Sequence, residues 1–195
     1  MLTIVALVSG GGSNLRALLE ACDNPLFPAR VRAVGSDRAA LALEHAEQFS
    51  VPTFVLEPEK FSSRDQWADL LLRSIEFHKP DLVVLAGFMR ILPKAVVDAL
   101  SPKIINIHPS LLPAFPGAHA VADALAAGAK VTGATVHIVD NGVDTGPVIR
   151  QTEVPIPDGI SESALHDLIR EVEKKQLIEV VRDIAEGSVR LGEIK

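Results

Sequence analysis

Two polar side chains interrupt an apolar segment near the middle of the chain, Lys103–Pro109. In an extended strand Asn106 and His108 face one side, because side chains alternate between the two faces. An amide donor and an imidazole that ionises near neutral pH could together stabilise the oxyanion formed when a carbonyl becomes tetrahedral. The alternative is a hydrogen-bonded pair inside the core, since buried polar groups need partners.

A carboxylate in a turn-rich stretch could complete this group. Asp144 lies within Val143–Pro147, among residues that favour turns. If it reaches His108, it would hold the charged imidazole in place. An exposed loop aspartate is the alternative.

A second candidate site is the glycine-rich stretch Ser9–Asn14, which directly follows the first apolar segment. Glycines let a backbone approach a ligand closely, and the free N–H groups of a helix start favour an anion. Leu15 occupies the third glycine position of the dinucleotide fingerprint, and the loop lacks the lysine of a P-loop. We therefore predict a site for a terminal monophosphate, held by backbone N–H groups and the Ser13 hydroxyl. A plain strand-to-helix turn is the alternative.

The last predicted helix carries a carboxylate on its apolar face. Glu173 lies four residues after Ile169 and four before Leu177, so it points inward or into a cleft. It could bind an amine or amide, and Arg170 could meet a phosphate one turn earlier. Surface charges at the edge of the stripe are the alternative.

The remaining histidines offer weaker candidates. His119, with His108 and Asp144, shows no recognised metal-ligand spacing, so we predict no metal site. Structural roles are favoured for His45, His78, His137 and His166.

Strand-like and helix-like patterns alternate along the chain and must position these residues. The strand-like segments are Leu2–Val8, Arg30–Gly35, Val51–Leu56, Leu82–Ala86, Lys103–His108, Val131–Val139 and Val148–Ile156. The helix-like segments are Asn14–Cys22, Ala39–Gln48, Phe61–His78, Pro93–Leu100, His119–Ala127 and Ser161–Glu186. This order predicts an α/β fold: a Rossmann-like, doubly wound, mostly parallel sheet flanked by helices, with late antiparallel strands and a long C-terminal helix. Ligands of such sheets bind beyond the carboxyl ends of the strands, here after Val8, Ala86 and His108.

Composition narrows the function classes. The 195 residues fit a single domain, 1–195, and carry a net charge of −6 with 4% aromatic residues and no tyrosine. Neither a basic stripe nor a base-stacking surface is present, so nucleic acid is not an expected partner. One cysteine, no readable signal peptide and no apolar run of membrane-spanning length favour a cytoplasmic protein with no membrane partner.

Five stretches, in order along the chain, resemble the phosphoribosylglycinamide formyltransferase family, the folate-dependent enzymes of de novo purine synthesis. They are Ser9–Leu15 (SGGGSNL), Leu85–Leu92 (LAGFMRIL), Asn106–Pro113 (NIHPSLLP), Gly133–Val139 (GATVHIV) and Val143–Ile149 (VDTGPVI). The NIHPSLLP stretch with a later D-x-G is shared by all relatives that use formyltetrahydrofolate. The G-S-N-L loop is the more specific mark of the glycinamide ribonucleotide branch.

The resemblance implies that 10-formyltetrahydrofolate, without a metal, passes its formyl group to the amino group of 5-phosphoribosylglycinamide. Asn106, His108 and Asp144 match the family's catalytic trio. The residues that match or are assigned to the ribonucleotide site are Gly12, Ser13, Asn14, Arg170 and Glu173. Those assigned to the folate site are Arg64, Met89, Arg90, Ile91, Leu92, Asn106, Val139, Asp140 and Asp144. The N-terminal half is expected to bind the mononucleotide, and the C-terminal half to bind folate and carry the catalytic residues.

Three other functions are also compatible with parts of the sequence. A formyltetrahydrofolate hydrolase or a methionyl-tRNA formyltransferase would share the central motif, but those enzymes carry extra domains for which we expect no room. A non-catalytic nucleotide-binding module would explain the glycine loop and leave the three polar groups unexplained. The oligomeric state is open, with a homodimer among the options.

Overall fold

The computed structural model describes residues 1–194, and Lys195, the last residue of the expected domain, lies outside them. The strands are β1 (Leu2–Val8), β2 (Ala29–Ser36), β3 (Thr53–Val55), β4 (Leu82–Leu85), β5 (Ile104–His108), β6 (Val131–Ile138) and β7 (Val148–Pro155). The α-helices are α1 (Ser13–Asp23), α2 (Ala42–Gln48), α3 (Arg64–Phe77), α4 (Lys94–Leu100), α5 (Ala120–Ala126) and α6 (Glu162–Glu186). Short 3₁₀ turns occupy Pro58–Lys60 and Leu191–Glu193.

The strands form one seven-stranded sheet in the order β3-β2-β1-β4-β5-β6-β7. The pairs from β3 to β5 are parallel, whereas β5–β6 and β6–β7 are antiparallel. The predicted doubly wound sheet with late antiparallel strands is therefore confirmed. The strand order reverses between β1 and β4, so the loops after these two strands diverge and leave a crevice.

The alternating side chains of β1 divide the hydrophobic core into two parts. Ile4, Ala6 and Val8 pack in a cluster with residues of α1, α2 and α6. Val5 and Leu7 pack in the opposite cluster with α3 and α4. All five side chains are completely buried, as expected of a strand covered on both faces.

A third, smaller cluster supports the antiparallel side of the sheet. Ala134 of β6 and Val154 of β7 pack there against Leu165 and Ile169 of α6. This packing seats the first half of α6 against the sheet. It thereby fixes the helix that carries two of the residues assigned to the ribonucleotide site.

Capping residues account for the ends of the long helices. The Ser161 hydroxyl accepts the Ala164 N–H at the start of α6, and Gly187 ends this helix with φ of 79°. The Ser63 hydroxyl accepts the Gln66 N–H, so α3 begins at Arg64 rather than at Phe61 as predicted.

Two other predicted boundaries were too wide. Helix α2 begins at Ala42 rather than Ala39, where the Ala42 N–H is held by the Gly10 carbonyl at 3.1 Å. Strand β3 does not begin at Val51, because the Val51 N–H bonds the Ala46 carbonyl at the end of α2. Both differences come from contacts with neighbouring segments that local sequence does not reveal. Within residues 1–194, no helix is both long and apolar enough to cross a membrane.

Candidate active site

A cavity of about 710 Å³ opens at the carboxyl ends of β1, β4 and β5. Its walls are the glycine loop after β1, the loop after β4, the end of β5, the loop between β6 and β7, and one side of α6. Every residue that the sequence assigned to catalysis or binding lines this cavity, except Arg64. Its position is the one expected from the reversal of strand order.

The glycine loop forms one end of the cavity. Gly12 precedes α1 with φ of 75°, a backbone conformation that favours glycine. A Cβ at this position would lie 2.5 Å from the Cβ of Ala42, so packing also requires glycine here. Gly12 has no side chain that could cap the helix, so the first N–H groups of α1 remain available to a ligand. Ser13 and Asn14 begin this helix and line the same wall.

Glu173 projects from α6 toward the glycine loop and is only 6% exposed. Its Oε2 accepts a hydrogen bond from Asn14 Nδ2 at 3.3 Å. Burial raises the pKa of Glu173 to about 7, although Asn14 and Arg170 oppose the shift. An ammonium or amide group entering the cavity would therefore meet a carboxyl group for which residues 1–194 provide no ion-pair partner.

Arg170 lies one turn before Glu173 and borders the cavity. Its Nη1 forms an ion pair with Asp167 at 2.8 Å, and its side chain is 44% exposed. The guanidinium is thus at the mouth of the cavity, and it can reorient because exposed ion pairs contribute little stability.

Asn106 and His108 project from the C-terminal half of strand β5 on the same face, as predicted. The His108 side chain is buried, and its Nε2 donates to the Phe115 carbonyl at 2.8 Å. Its Nδ1 lies 3.4 Å from Asp144 Oδ2. Since both neighbours are hydrogen-bond acceptors, the ring can donate to both only as the imidazolium.

Asp144 reaches this pair from the loop between β6 and β7, where its φ of 53° turns the backbone sharply. Its Oδ2 also accepts the Gly117 N–H at 2.8 Å, and its Oδ1 lies 3.4 Å from Asn106 Nδ2. Hydrogen bonding with His137, aided by the Gly117 N–H and the charge of His108, lowers the pKa of Asp144 to about 2 against the effect of burial. The structure therefore brings the three predicted side chains together with a carboxylate that stays charged at neutral pH.

The loop of Pro109–Gly117 holds the other side of this group. The Phe115 carbonyl and the Gly117 N–H supply the two backbone contacts to His108 and Asp144. Hydrogen bonds from Ser110 Oγ to the Ala114 carbonyl and from Thr135 Oγ1 to the Ser110 carbonyl, both 2.6 Å, fix the loop. The contribution of Phe115 is thus made by its backbone and does not depend on a polar side chain.

His137 is a functional candidate that sequence reasoning assigned to a structural role. It lies opposite Asn106 in the antiparallel β5–β6 pair and is 2% exposed. Its Nδ1 donates to the Ile138 carbonyl, and its Nε2 lies 3.3 Å from Asn106 Nδ2 and 3.5 Å from Asp144 Oδ1. The signal that could have found it is the strand register, since antiparallel pairing places it directly across from Asn106.

The apolar end of the cavity is formed by the loop after β4. Leu92 is buried, whereas Met89 and Ile91 are 70% and 61% exposed. Val139 and Asp140 line the facing wall. Large exposed apolar side chains beside a cavity are typical of a site for a flat, partly apolar ligand.

The two arginines assigned to the folate site differ in their relation to the cavity. Arg64 does not line the cavity, and its Nη2 donates to the Ile91 carbonyl at 2.8 Å. Arg90 lines the cavity and forms ion pairs with Asp37 and Glu59 at 2.8 and 2.6 Å. Asp37 was not singled out from the sequence, because nothing local marks its distant partner. Among the described residues, no group of three or more His, Cys, Asp or Glu side chains is arranged to hold a metal ion.

Comparison with known proteins shows the family to which the chain belongs. The model of the formyl transferase family matches residues 2–181. The phosphoribosylglycinamide formyltransferase of Mycobacterium tuberculosis is 49% identical over 186 residues, which cover 95% of this chain and 86% of that protein. The enzyme of the same name from Escherichia coli is 40% identical over 193 residues, or 98% of this chain and 91% of the relative.

The likeness extends to solved structures. Glycinamide ribonucleotide transformylase 1 from Symbiobacterium toebii superposes with a TM-score of 0.93 at 42% identity, covering 96% of this chain and 89% of that one. The phosphoribosylglycinamide formyltransferase from Brucella melitensis gives a TM-score of 0.90 at 39% identity, with coverage of 97% and 98%. The chain is therefore an enzyme of the formyl transferase family and belongs to its phosphoribosylglycinamide formyltransferases.

Proposed function

We propose that this enzyme transfers the formyl group of 10-formyltetrahydrofolate to the amino group of 5-phosphoribosylglycinamide. The products are formylglycinamide ribonucleotide and tetrahydrofolate, a step of purine synthesis. The observation that carries this proposal is the convergence of Asn106, His108 and Asp144 between two unlike ends of one cavity. One end suits a phosphate, and the other suits a pterin ring.

The glycine loop is the proposed phosphate site of the acceptor. Uncapped N–H groups at the start of α1 favour an anion, and the Ser13 hydroxyl adds a donor. Arg170 can turn from Asp167 toward the phosphate, since its side chain is partly exposed. Glu173, deeper in the cavity, is placed to hold the amino or amide group of the glycinamide.

The donor is proposed to occupy the apolar end. Met89, Ile91 and Leu92 offer apolar surface, and Val139 and Asp140 close the opposite wall. Arg90 and Arg64 lie at the outer side of this loop. The charge of Arg64 suits the carboxylate tail of a folate, which is the role that the family resemblance implies for this residue, whereas Arg90 belongs to the segment matched to the pterin pocket.

The proposed reaction begins with attack of the acceptor amine on the formyl carbon. The carbonyl oxygen becomes an oxyanion, which Asn106 and the charged His108 ring stabilise. The attack itself forms the bond between the formyl carbon and the acceptor nitrogen. Collapse of the tetrahedral intermediate then restores the carbonyl and breaks the bond to the folate nitrogen. One proton moves from the attacking amine to the leaving nitrogen, with Asp144 supporting His108 and relaying the proton through water. The step balances without a metal or a redox partner.

We also propose that the chain works as a single formyltransferase domain, since the loops and the helix that form the cavity all surround one continuous sheet. Both halves contribute to both proposed subsites. The apolar loop of the donor site precedes β5, and Glu173 of the acceptor site lies on the last helix.

A spectrophotometric assay with 10-formyl-5,8-dideazafolate, a stable donor analogue, tests the proposal. We expect deformylation only when 5-phosphoribosylglycinamide is present. Deformylation at the same rate without the ribonucleotide would instead establish a hydrolase. Binding of the ribonucleotide with no deformylation in either reaction would contradict catalysis of this transfer.

A further inference from the structure

A buried ion pair lies behind the apolar end of the cavity and is not explained by the proposed chemistry. Asp37 follows β2 and is 1% exposed. Its Oδ2 accepts hydrogen bonds from Arg90 Nε and Arg38 Nη2, each at 2.8 Å. Burying a carboxylate is costly, and removing one partner of such a pair leaves a buried charge uncompensated.

Arg90 belongs to the loop after β4, residues 87–92, which we call the donor loop. Buried apolar side chains anchor both ends of this loop in the core, whereas Met89 and Ile91 at its tip are mostly exposed. The conformation of the tip therefore depends in part on polar contacts with residues outside the loop. The contact between Asp37 and Arg90 is one of these, and its Asp37 side chain is completely shielded from solvent.

Ser9 connects the same loop to the glycine loop. The Ser9 N–H donates to the Gly87 carbonyl at 3.0 Å, and the Ser9 hydroxyl accepts the Met89 N–H at 2.8 Å. Burial alone would raise the pKa of Asp37, but hydrogen bonds from Arg38 and Arg90 and the nearby Ser9 hydroxyl lower it to about 2. Asp37 is therefore a carboxylate at neutral pH.

We infer that Asp37 is a positioning residue for the formyl donor, which acts through Arg90 by fixing the donor loop, with Ser9 joining that loop to the acceptor's phosphate loop. This inference rests on the proposed function, because it assigns the donor to the apolar end. Asp37 itself does not line the cavity.

A positioning role and a purely structural role predict different kinetics. If Asp37 only stabilised the fold, its loss would lower the amount of active enzyme and leave both KM values unchanged. If it positions the donor loop, its loss raises the KM for the donor and leaves the KM for the ribonucleotide near the wild-type value. Chemistry in the bound state is then affected less than donor binding.

The test compares Asp37→Ala, Asp37→Asn and Ser9→Ala with the wild-type chain, using 10-formyl-5,8-dideazafolate and 5-phosphoribosylglycinamide. We expect Asp37→Ala to raise the donor KM by about tenfold, with kcat changed less than about threefold. Asp37→Asn keeps an oxygen acceptor and should fall between Asp37→Ala and the wild type. Ser9→Ala removes the acceptor of the Met89 N–H and should raise the donor KM in the same direction.

Asp69→Ala is the matched control, since it removes an exposed aspartate that pairs with Arg73 on α3 away from the cavity. Both KM values should stay at the wild-type level in this variant. Direct titration of each variant with the donor analogue, without the ribonucleotide, gives a second readout that does not depend on turnover.

The outcomes separate this inference from the function on which it rests. A wild-type chain that neither binds nor deformylates the analogue would overturn the proposed function itself. An active wild type with unchanged donor KM and donor affinity in Asp37→Ala would overturn the positioning role alone. If Asp37→Ala does not fold, the same comparison is decided by Asp37→Asn and Ser9→Ala.

Discussion

At the scale of single residues, the arrangement depends on which groups stay charged. Asp144 is a carboxylate held by two histidines, an amide and a backbone N–H. His108 faces two acceptors and satisfies both only when each ring nitrogen carries a proton. In its imidazolium form, His108 would place positive charge beside the point where negative charge would develop during formyl transfer.

Replacing Asp144 with Asn tests this electrostatic role with little change of shape. The loss of charge removes the support for the His108 imidazolium, so we expect kcat to fall by about 10²–10⁴-fold. Steady-state kinetics and a thermal unfolding curve measure the effect and check that the fold is intact. Asp158→Asn is the control, since Asp158 is an exposed aspartate paired with Lys130. Near-normal turnover in Asp144→Asn would remove Asp144 from the mechanism.

Glu173 has the opposite behaviour, because burial favours its neutral form. The unfolded chain ionises this group near pH 4.5, whereas the folded chain ionises it near pH 7. Between these values the folded state binds more protons, so the free energy of unfolding falls as pH rises, by about 3 kcal/mol in total. This loss is complete once pH passes the folded pKa.

Glu173→Gln removes that dependence. We expect the variant to gain stability relative to the wild type between pH 5 and pH 8, measured by urea unfolding at each pH. The KM for the ribonucleotide should rise while the KM for the donor does not. Glu171→Gln, an exposed neighbour on the same helix, should alter neither quantity. Equal pH dependence in Glu173→Gln and the wild type would contradict an abnormal ionisation of Glu173.

At the scale of elements, the two loops that follow the adjacent strands β1 and β4 line the cavity and contact each other through Ser9. The glycine loop depends on backbone conformation and close packing at Gly12. The donor loop depends on side-chain contacts from Ser9, Asp37 and Arg64. Local sequence pointed to both loops but could not show what holds them in place.

Gly12→Ala tests the requirement for glycine in the phosphate loop. A side chain at φ of 75° and against Ala42 strains the loop, so we expect a loss of about 1–3 kcal/mol in the free energy of unfolding. The KM for the ribonucleotide should rise at least about tenfold, since the N–H groups of α1 are displaced. Gly10→Ala is the control for stability, because a Cβ there meets nothing within 4 Å. Equal stability of the two variants would refute the packing argument at Gly12.

At the scale of the whole molecule, the sheet was predictable because its strands are short apolar runs separated by helical periodicity. The antiparallel end was also predictable, since a turn-rich loop lies between the last two strand-like segments. Asn106, His108 and Asp144 could be nominated because polar residues at strand ends and in rigid loops are unusual. His137 was given a structural role and Asp37 was not singled out, because their partners lie 31 and 53 positions away in sequence and the strand pairing that joins them was not predicted.

We propose that both substrates meet in one cavity and that the formyl carbon moves to the acceptor's amino group. A donor analogue with a carbon-13-labelled formyl group, incubated with 5-phosphoribosylglycinamide and the enzyme, tests it most directly by carbon NMR of the products. We predict that the label appears as an amide carbon of the ribonucleotide in an amount equal to the donor consumed. Label recovered as free formate, with the ribonucleotide unmodified, would contradict formyl transfer to the ribonucleotide.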